Sequence, residues 1–131
     1  IVASMIKGSS QVGGVAGVNN GIIEGCYFSG KVVATNQSVG GIVGENNGNV
    51  TNCYSLAYVQ GTNMVGGLVG YNKQASVSNC YHSGSVFGNT ELGAIIGAST
   101  YSTVSNCYYN NCKIFVIILT IRNIKNLIKS D

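Results

Sequence analysis

Four cysteines recur at a constant interval of 27 residues, and each is followed by a tyrosine. The cysteines are Cys26, Cys53, Cys80 and Cys107, and the tyrosines are Tyr27, Tyr54, Tyr81 and Tyr108. A zinc site needs cysteine or histidine ligands at short spacing, whereas only Cys107 and Cys112 lie close together. We therefore expect no metal and no cofactor. The simplest interpretation is a column of buried free thiols, with disulfides between neighbouring copies left open as an alternative.

Catalytic groups are sparse. His82 lies two residues after Cys80, so the two side chains would share one face of a strand and could form a nucleophilic pair. Because Cys80 belongs to a repeated column, a structural role is favoured. Glu24, Glu45 and Glu91 occupy three different positions of the repeat, so they do not provide the paired acids of a glycoside hydrolase. The sequence predicts no catalytic residue and no enzyme activity.

A glycine-rich motif alternates with the cysteines and defines the repeat. Its copies read VGGVAGVN from Val12, VGGIVGEN from Val39, VGGLVGYN from Val65 and LGAIIGAS from Leu92. We predict coils near 12–38, 39–64, 65–91 and 92–112, with a partial coil at 1–11, and hence a solenoid domain over 1–112. Because the chain starts within a repeat, we also expect it to be a piece of a longer array.

Each repeat has three short segments rich in valine and isoleucine, separated by glycine, asparagine, serine and threonine. Such segments favour strands over helices. Stacking each strand on its equivalent one repeat later gives an all-β fold, a parallel β-solenoid with three strands per coil and about four coils. Right-handed coiling is the expected hand.

The repeated polar and small residues should form columns. Glycine allows close backbone approach, and asparagine tolerates left-handed turns and can bond the equivalent amide of the next coil. The glycine column comprises Gly17, Gly44, Gly70 and Gly97, and the first asparagine column comprises Asn19, Asn46 and Asn72. A second asparagine column comprises Asn52, Asn79 and Asn106, with Gly25 at its first position. The tyrosine column, Tyr27 to Tyr108, is the candidate ligand face, with an ordinary structural ladder as the alternative.

Charge separates the last residues from the rest. Only 8% of the 131 residues are charged, and residues 1–112 carry no basic cluster of the kind that binds nucleic acid. The net charge of +3 lies entirely in residues 113–131, an apolar and basic tail outside the repeat. Its apolar run 114–121 is too short for a transmembrane helix. It could form a strand or an amphipathic helix, and it could cap the solenoid, touch a membrane surface or be non-homologous sequence.

The stretch VGGLVGYN at 65–72, followed by VSNCYHSG at 77–84, resembles the GLUG repeat, which is named for a Gly-Leu-x-Gly core. Here the core is Gly67, Leu68 and Gly70, and the resemblance covers about residues 6–109. GLUG repeats occur in large secreted or surface proteins of microbes, including adhesins and metallopeptidases. The resemblance implies an extracellular or cell-surface location. It does not imply peptidase activity, because the His-Glu-x-x-His zinc signature is absent.

These observations predict a structural or adhesive segment of a surface or secreted protein, without catalysis. The alternative is a module that binds a host-surface glycan or protein through the tyrosine and asparagine columns; an enzyme fragment is less expected. The position after each Cys-Tyr pair varies, reading Phe28, Ser55, His82 and Tyr109. We expect this position to be exposed, in which case its variation favours the spacer. Self-association through the ends is expected because uncapped ends expose strand edges.

Overall fold

A computed structural model describes residues 4–109 and, as a backbone strand, residues 113–116. The described residues form 21 short strands, all paired in parallel, and successive coils of the chain stack on one another. Most pairs join residues 27 positions apart, as in Ile23 with Val50, while the third coil starts after only 26, as in Val39 with Val65. The fold is therefore the predicted all-β parallel solenoid of about four coils.

The strands stack in five ladders, which we number in the order in which the chain meets them. Ladder 1 contains β1 (Ser4–Gly8), β6 (Gly30–Ala34), β11 (Tyr58–Gln60), β16 (Ser85–Gly88) and β21 (Lys113–Val116). Ladder 2 contains β2 (Val12–Gly13), β7 (Gln37–Gly40), β12 (Asn63–Gly66) and β17 (Thr90–Gly93). Ladder 3 contains β3 (Ala16–Asn19), β8 (Val43–Asn46), β13 (Val69–Lys73) and β18 (Ile96–Thr100).

The last two ladders carry the Val-x-x-Cys-Tyr motif of the sequence. Ladder 4 contains β4 (Ile22–Glu24), β9 (Asn49–Thr51), β14 (Ser76–Ser78) and β19 (Thr103–Ser105). Ladder 5 contains β5 (Tyr27–Phe28), β10 (Tyr54–Ser55), β15 (Tyr81–His82) and β20 (Tyr108–Tyr109). The tyrosine thus opens a two-residue strand in each coil.

A full coil has five strands, so the expectation of three was wrong. Two of the three apolar segments are each divided by a corner. The cysteine motif breaks between ladders 4 and 5, where Asn52, Asn79 and Asn106 have φ of 55°, 54° and 51° and Gly25 has φ of 68°. A left-handed residue turns the chain at this point, because regular strand backbone has negative φ. The glycine-rich motif breaks between ladders 2 and 3, at the second glycine of the Gly-Gly pair and the residue after it.

Valine and isoleucine side chains fill the interior of the coils, since alternate residues of a strand point to opposite faces. Ladder 1 contributes Val32, Val59 and Val86, all completely buried. The residue after the Gly-Gly pair or its Gly-Ala equivalent and the β-branched residues of ladders 3 and 4 complete the core: Ile42, Leu68, Ile95, Val43, Val69, Ile96, Val50 and Val77. Among the residues described there is no helix long and apolar enough to span a membrane.

The solenoid extends beyond the boundary expected at residue 112. Strand β21 pairs in parallel with β16, and Lys113 lies opposite Ser85. The start of the tail therefore continues ladder 1, because its β-branched sequence suits a strand. The predictions for the rest of the tail, as a cap, helix or non-homologous sequence, fall on residues 117–131, outside the described residues.

The second glycine of each Gly-Gly pair faces an inward-pointing residue of ladder 5. A Cβ added to Gly67 would overlap the His82 ring and the carbonyl oxygen of Ala94. Gly14 has the same relation to the Phe28 ring. Glycine is required here because the backbone of one segment passes directly against a buried side chain.

We expect Gly67→Ala to destabilise the fold by about 3 kcal/mol or more, because neither the Ala94 carbonyl nor the enclosed His82 ring has room to move. The matched control is Gly21→Ala, since a Cβ at Gly21 would meet nothing within 4 Å. The control should change stability by less than about 1 kcal/mol. Urea unfolding monitored by circular dichroism measures both; equal stability of the two variants would contradict the close-packing argument.

Candidate functional site

The tyrosines of ladder 5 point outward and lie in register. Tyr54 is paired with Tyr27 on one side and Tyr81 on the other, and Tyr81 is paired with Tyr108. The rings of Tyr27 and Tyr54 are stacked, with centroids 4.9 Å apart and planes 7° from parallel. About 40% of each of these two residues is exposed. The stack covers one face of each ring, so the faces between Tyr27 and Tyr54 are closed to a ligand.

An open groove of about 510 Å³ runs beside this column. Leu56, at the corner after ladder 5, is 44% exposed and forms part of its wall. The full lining is Asn52, Cys53, Tyr54, Leu56, Asn79 and Tyr81. Amide groups, phenol hydroxyls and a leucine together can offer hydrogen bonds and apolar contact to a sugar or an extended peptide.

A second aromatic cluster lies on ladder 1 and was missed in the sequence. Tyr58 and Phe87 have ring centroids 4.8 Å apart at an interplanar angle of 39°. The ammonium group of Lys31 lies 5.0 Å from the Tyr58 ring centroid, within the range of a cation–π contact. These three residues differ in type, so no identical column marks them. Only the paired register of β6, β11 and β16 brings them together.

The first asparagine column forms a hydrogen-bonded chain inside the solenoid. The Nδ2 of Asn19 donates to Oδ1 of Asn46 at 2.8 Å, and the Nδ2 of Asn46 donates to Oδ1 of Asn72 at 2.9 Å. Each Nδ2 also donates to backbone carbonyls of its own coil and the next, as Asn46 does to Gly48 and Ser76. These asparagines are strand residues. The left-handed conformation expected of them is found only in the second column.

This chain of amides ends at Asn72. Its Nδ2 is buried without a hydrogen-bond partner, and its register partner in the next coil is Ser99. A serine side chain is shorter than an asparagine side chain and carries no amide oxygen. The degraded fourth copy of the motif therefore leaves one buried donor unsatisfied.

The cysteines form a column at the corner between ladders 4 and 5. All four are free; Cys53, Cys80 and Cys107 are buried and Cys26 is half-buried. Each of the three buried thiols donates to the carbonyl two residues earlier, at 3.2, 3.1 and 3.3 Å, respectively. Hydrogen bonding with the Cys80 thiol lowers the pKa of Cys53 to about 6, whereas hydrogen bonds to both neighbouring thiols and burial raise the pKa of Cys80.

The variable position after each Cys-Tyr pair is interior, so the expectation that it is exposed was wrong. Phe28 is 2% exposed, and Ser55 and His82 are completely buried. Strand alternation explains this, because the tyrosine points outward and its successor must point inward. Variation at this position therefore reflects how the core is filled and does not support a freely varying surface.

His82 is an uncompensated polar group in this core. Neither ring nitrogen has a hydrogen-bond partner within bonding geometry. Burial lowers its pKa to about 4, and the nearby backbone of Ser55 and Gly84 opposes the shift only weakly. The Cys80 thiol donates to the carbonyls of Ser78 and Val50. The Cys80–His82 pair considered from the sequence is therefore not hydrogen-bonded.

The acidic residues are dispersed over the coil. Glu24 lies on β4, Glu45 on β8 and Glu91 on β17, which belong to three different ladders. Across residues 4–109, no group of three or more histidine, cysteine or acidic side chains is arranged to hold a metal ion.

The repeat motif identifies the family. The model of the GLUG motif matches residues 8–33, 35–57 and 61–86, together more than half of the chain. The chain belongs to the GLUG-motif family. The three matches contain Asn19, Asn46 and Asn72, the three members of the amide chain, while the degraded fourth GLUG copy lies outside them. No curated protein and no solved structure matches this GLUG chain.

We expect Asn46→Ala to destabilise this GLUG solenoid by about 3 kcal/mol, because the substitution leaves the side-chain amides of both Asn19 and Asn72 with fewer partners in a buried site. Asn47→Ala is the control. Its Nδ2 donates to Asn20 Oδ1 at 3.0 Å on the exposed surface, and its loss should cost less than about 1 kcal/mol. Urea unfolding of the two variants measures the difference, and equal losses would show that burial of the amide chain does not matter.

His82 makes stability depend on pH. Because its pKa falls from 6.5 to about 4 on folding, the unfolded chain binds more protons between these values, and stability decreases as pH falls from 6.5 towards 4. The free energy of unfolding should fall by about 3 kcal/mol. Urea unfolding at about pH 7.5 and at about pH 4.5 gives the two free energies, and their difference is the measurement.

His82→Phe is the informative comparison, because Phe28 fills the equivalent interior position two coils earlier, also against a glycine. The variant should lose most of the pH dependence that the parent shows. An unchanged pH profile in His82→Phe would mean that carboxylates, not His82, cause the acid sensitivity.

Proposed function

We propose that this GLUG solenoid is a structural segment of a secreted or cell-surface protein, a spacer that sets a distance without catalysing a reaction. The observation that carries the proposal is that the repeated side chains contact their own equivalents in the next coil. Asn46 bonds Asn19 and Asn72, and Tyr54 stacks on Tyr27. Such contacts hold coils together and leave little of each repeated group free for a ligand.

The geometry suits a spacer because length grows with copy number. Each additional coil of about 27 residues adds about 4.8 Å to the axis, since parallel strands of neighbouring coils are separated by that distance. Nearest-neighbour contacts allow repeats to be added without changing the existing ones. The surface or secreted location rests on the occurrence of GLUG repeats in such proteins.

A second candidate is a module that binds a glycan or a protein segment. The groove beside Tyr54 and Tyr81 favours it, because Asn52, Asn79 and the exposed Leu56 add polar and apolar contacts there. Stacking of the Tyr27 and Tyr54 rings is an argument against sugar binding at these two residues, since sugar rings pack on exposed aromatic faces.

We propose that the spacer associates with itself through the ends of the solenoid. Val15 is 41% exposed, whereas its equivalents Ile42 and Leu68 in the next two coils are completely buried. A further coil, from the same chain or from a second copy, would cover this core position.

A glycan array with the purified chain separates the two functions. The spacer predicts no reproducible, saturable binding. A binding module predicts hits that Leu56→Ser and the pair Tyr54→Phe and Tyr81→Phe weaken about tenfold, because these changes remove groove contacts while keeping the stacked rings. Val18→Ser, at an exposed position on ladder 3, is the control and should keep the hits. Hits lost only in the groove variants would overturn the pure spacer.

A further inference from the structure

The outer surface of ladder 1 has a composition that the spacer role does not explain. Two columns of residues lie on the side of this sheet opposite its buried valines, because alternate residues of a strand point to opposite faces. We call these two columns the ladder 1 face. Its described members are Met5, Lys31, Tyr58 and Ser85 in one column and Lys7, Val33, Gln60 and Phe87 in the other.

The charge on this ladder has one sign. Lys7 on β1 and Lys31 on β6 lie on adjacent strands, and both are exposed. None of the five strands of ladder 1 contains an aspartate or a glutamate. The register places a third lysine, Lys113, opposite Ser85. A partner of the ladder 1 face should therefore carry negative charge.

Apolar and aromatic residues accompany the lysines on the same face. Met5 is 52% exposed and lies opposite Lys31 in register. Val33, Tyr58 and Phe87 are half-buried. Lysines beside partly exposed apolar and aromatic side chains are typical of protein surfaces that lie in the headgroup region of a bilayer, where the ammonium groups meet lipid phosphates and the apolar groups leave water.

The Tyr58 ring holds the Lys31 ammonium group in place and is itself fixed. The ammonium nitrogen lies 5.0 Å from the ring centroid, and the Tyr58 hydroxyl donates to Gln60 Oε1 at 3.0 Å. Phe87 packs against the ring from the next coil, with centroids 4.8 Å apart. Since Tyr58 has a neighbour from the coil on each side, its ring offers a sugar little open face. This favours a lipid surface over an acidic polysaccharide as the negatively charged partner.

We propose that the ladder 1 face binds the surface of an anionic lipid bilayer, with Lys7 and Lys31 beside the lipid phosphates and Met5 at the boundary between headgroups and acyl chains. The face runs along the side of the solenoid, so a bound solenoid would lie with its axis parallel to the bilayer. Each lysine near an anionic surface strengthens binding about fivefold, and two lysines therefore give weak, reversible attachment.

This binding is separate from the contacts that support the spacer role. Those contacts join asparagines of ladder 3 and tyrosines of ladder 5, whereas the lysines and Met5 belong to ladder 1. Loss of the bilayer contact would leave the spacer intact.

Co-sedimentation of the purified full chain with lipid vesicles tests the proposal. Vesicles of phosphatidylcholine alone are compared with vesicles of equal parts phosphatidylcholine and phosphatidylglycerol. We expect binding to the anionic vesicles only, and weaker binding as salt is added, because salt screens the surface charge. Replacing Lys7 and Lys31 together by glutamine should lower the partition coefficient about tenfold or more. Met5→Ser should lower it severalfold, because less apolar area enters the bilayer.

Two control variants locate the binding surface. Lys73→Gln removes the same charge from an exposed position on ladder 3 and should change the partition coefficient less than about twofold. A tail variant replaces Arg122, Lys125 and Lys129 by glutamine, since this basic segment can attract anionic lipid by itself. A loss in the double lysine variant supports the proposal whether or not the tail variant also binds less. Circular dichroism checks that each variant keeps the fold.

Four results would overturn the proposal. They are no binding to anionic vesicles, equal binding to both kinds of vesicle, the same loss in Lys73→Gln as in the double lysine variant, and a loss in the tail variant alone. Polygalacturonate, a linear acidic polysaccharide, is tested in parallel. Binding of polygalacturonate through Lys7 and Lys31 without binding to vesicles would assign the ladder 1 face to acidic polysaccharides and would also overturn the proposal.

Discussion

The fixed spacing between coils is the constraint on which the whole structure depends. Parallel backbone hydrogen bonds hold each residue about 4.8 Å from its equivalent in the next coil. A side chain at a repeated position must therefore pack or bond favourably against an identical side chain in the next coil. Asparagine does so by donating and accepting along the column, tyrosine by stacking and valine by packing. Like charges do not, and the described glutamates are accordingly placed on three different ladders.

The interior obeys a second condition, which is that its narrow space must be filled. On ladder 5 the inward position changes from phenylalanine to serine to histidine, and the facing glycine leaves room for the larger rings. Deviations from the repeat produce buried polar groups without partners. His82 replaces an apolar ring, and Ser99 replaces the next asparagine beyond Asn72. Each deviation reduces the stability of the coil that carries it.

The same spacing limits what the surface can do. Side chains that repeat on the outer surface contact their own equivalents in the next coil. Side chains that could contact another molecule lie where a column is interrupted, as at Leu56 beside the tyrosines and at Lys31 against Tyr58. The cysteine column is held in another way, because each of its buried thiols donates to the backbone carbonyl two residues earlier.

The sequence alone determined the repeat length, the parallel all-β solenoid and the family, because a periodic pattern of glycine, asparagine and cysteine is a local property of the chain. Only the tertiary structure decided that a coil has five strands, since the corners depend on left-handed residues such as Asn52 and Asn79. It also showed that His82 is interior and that Tyr58, Phe87 and Lys31 meet. Those contacts join residues of different types from different coils. Because the residues are not identical, no repeated pattern in the sequence marks them, and only the pairing of the coils in three dimensions brings them together.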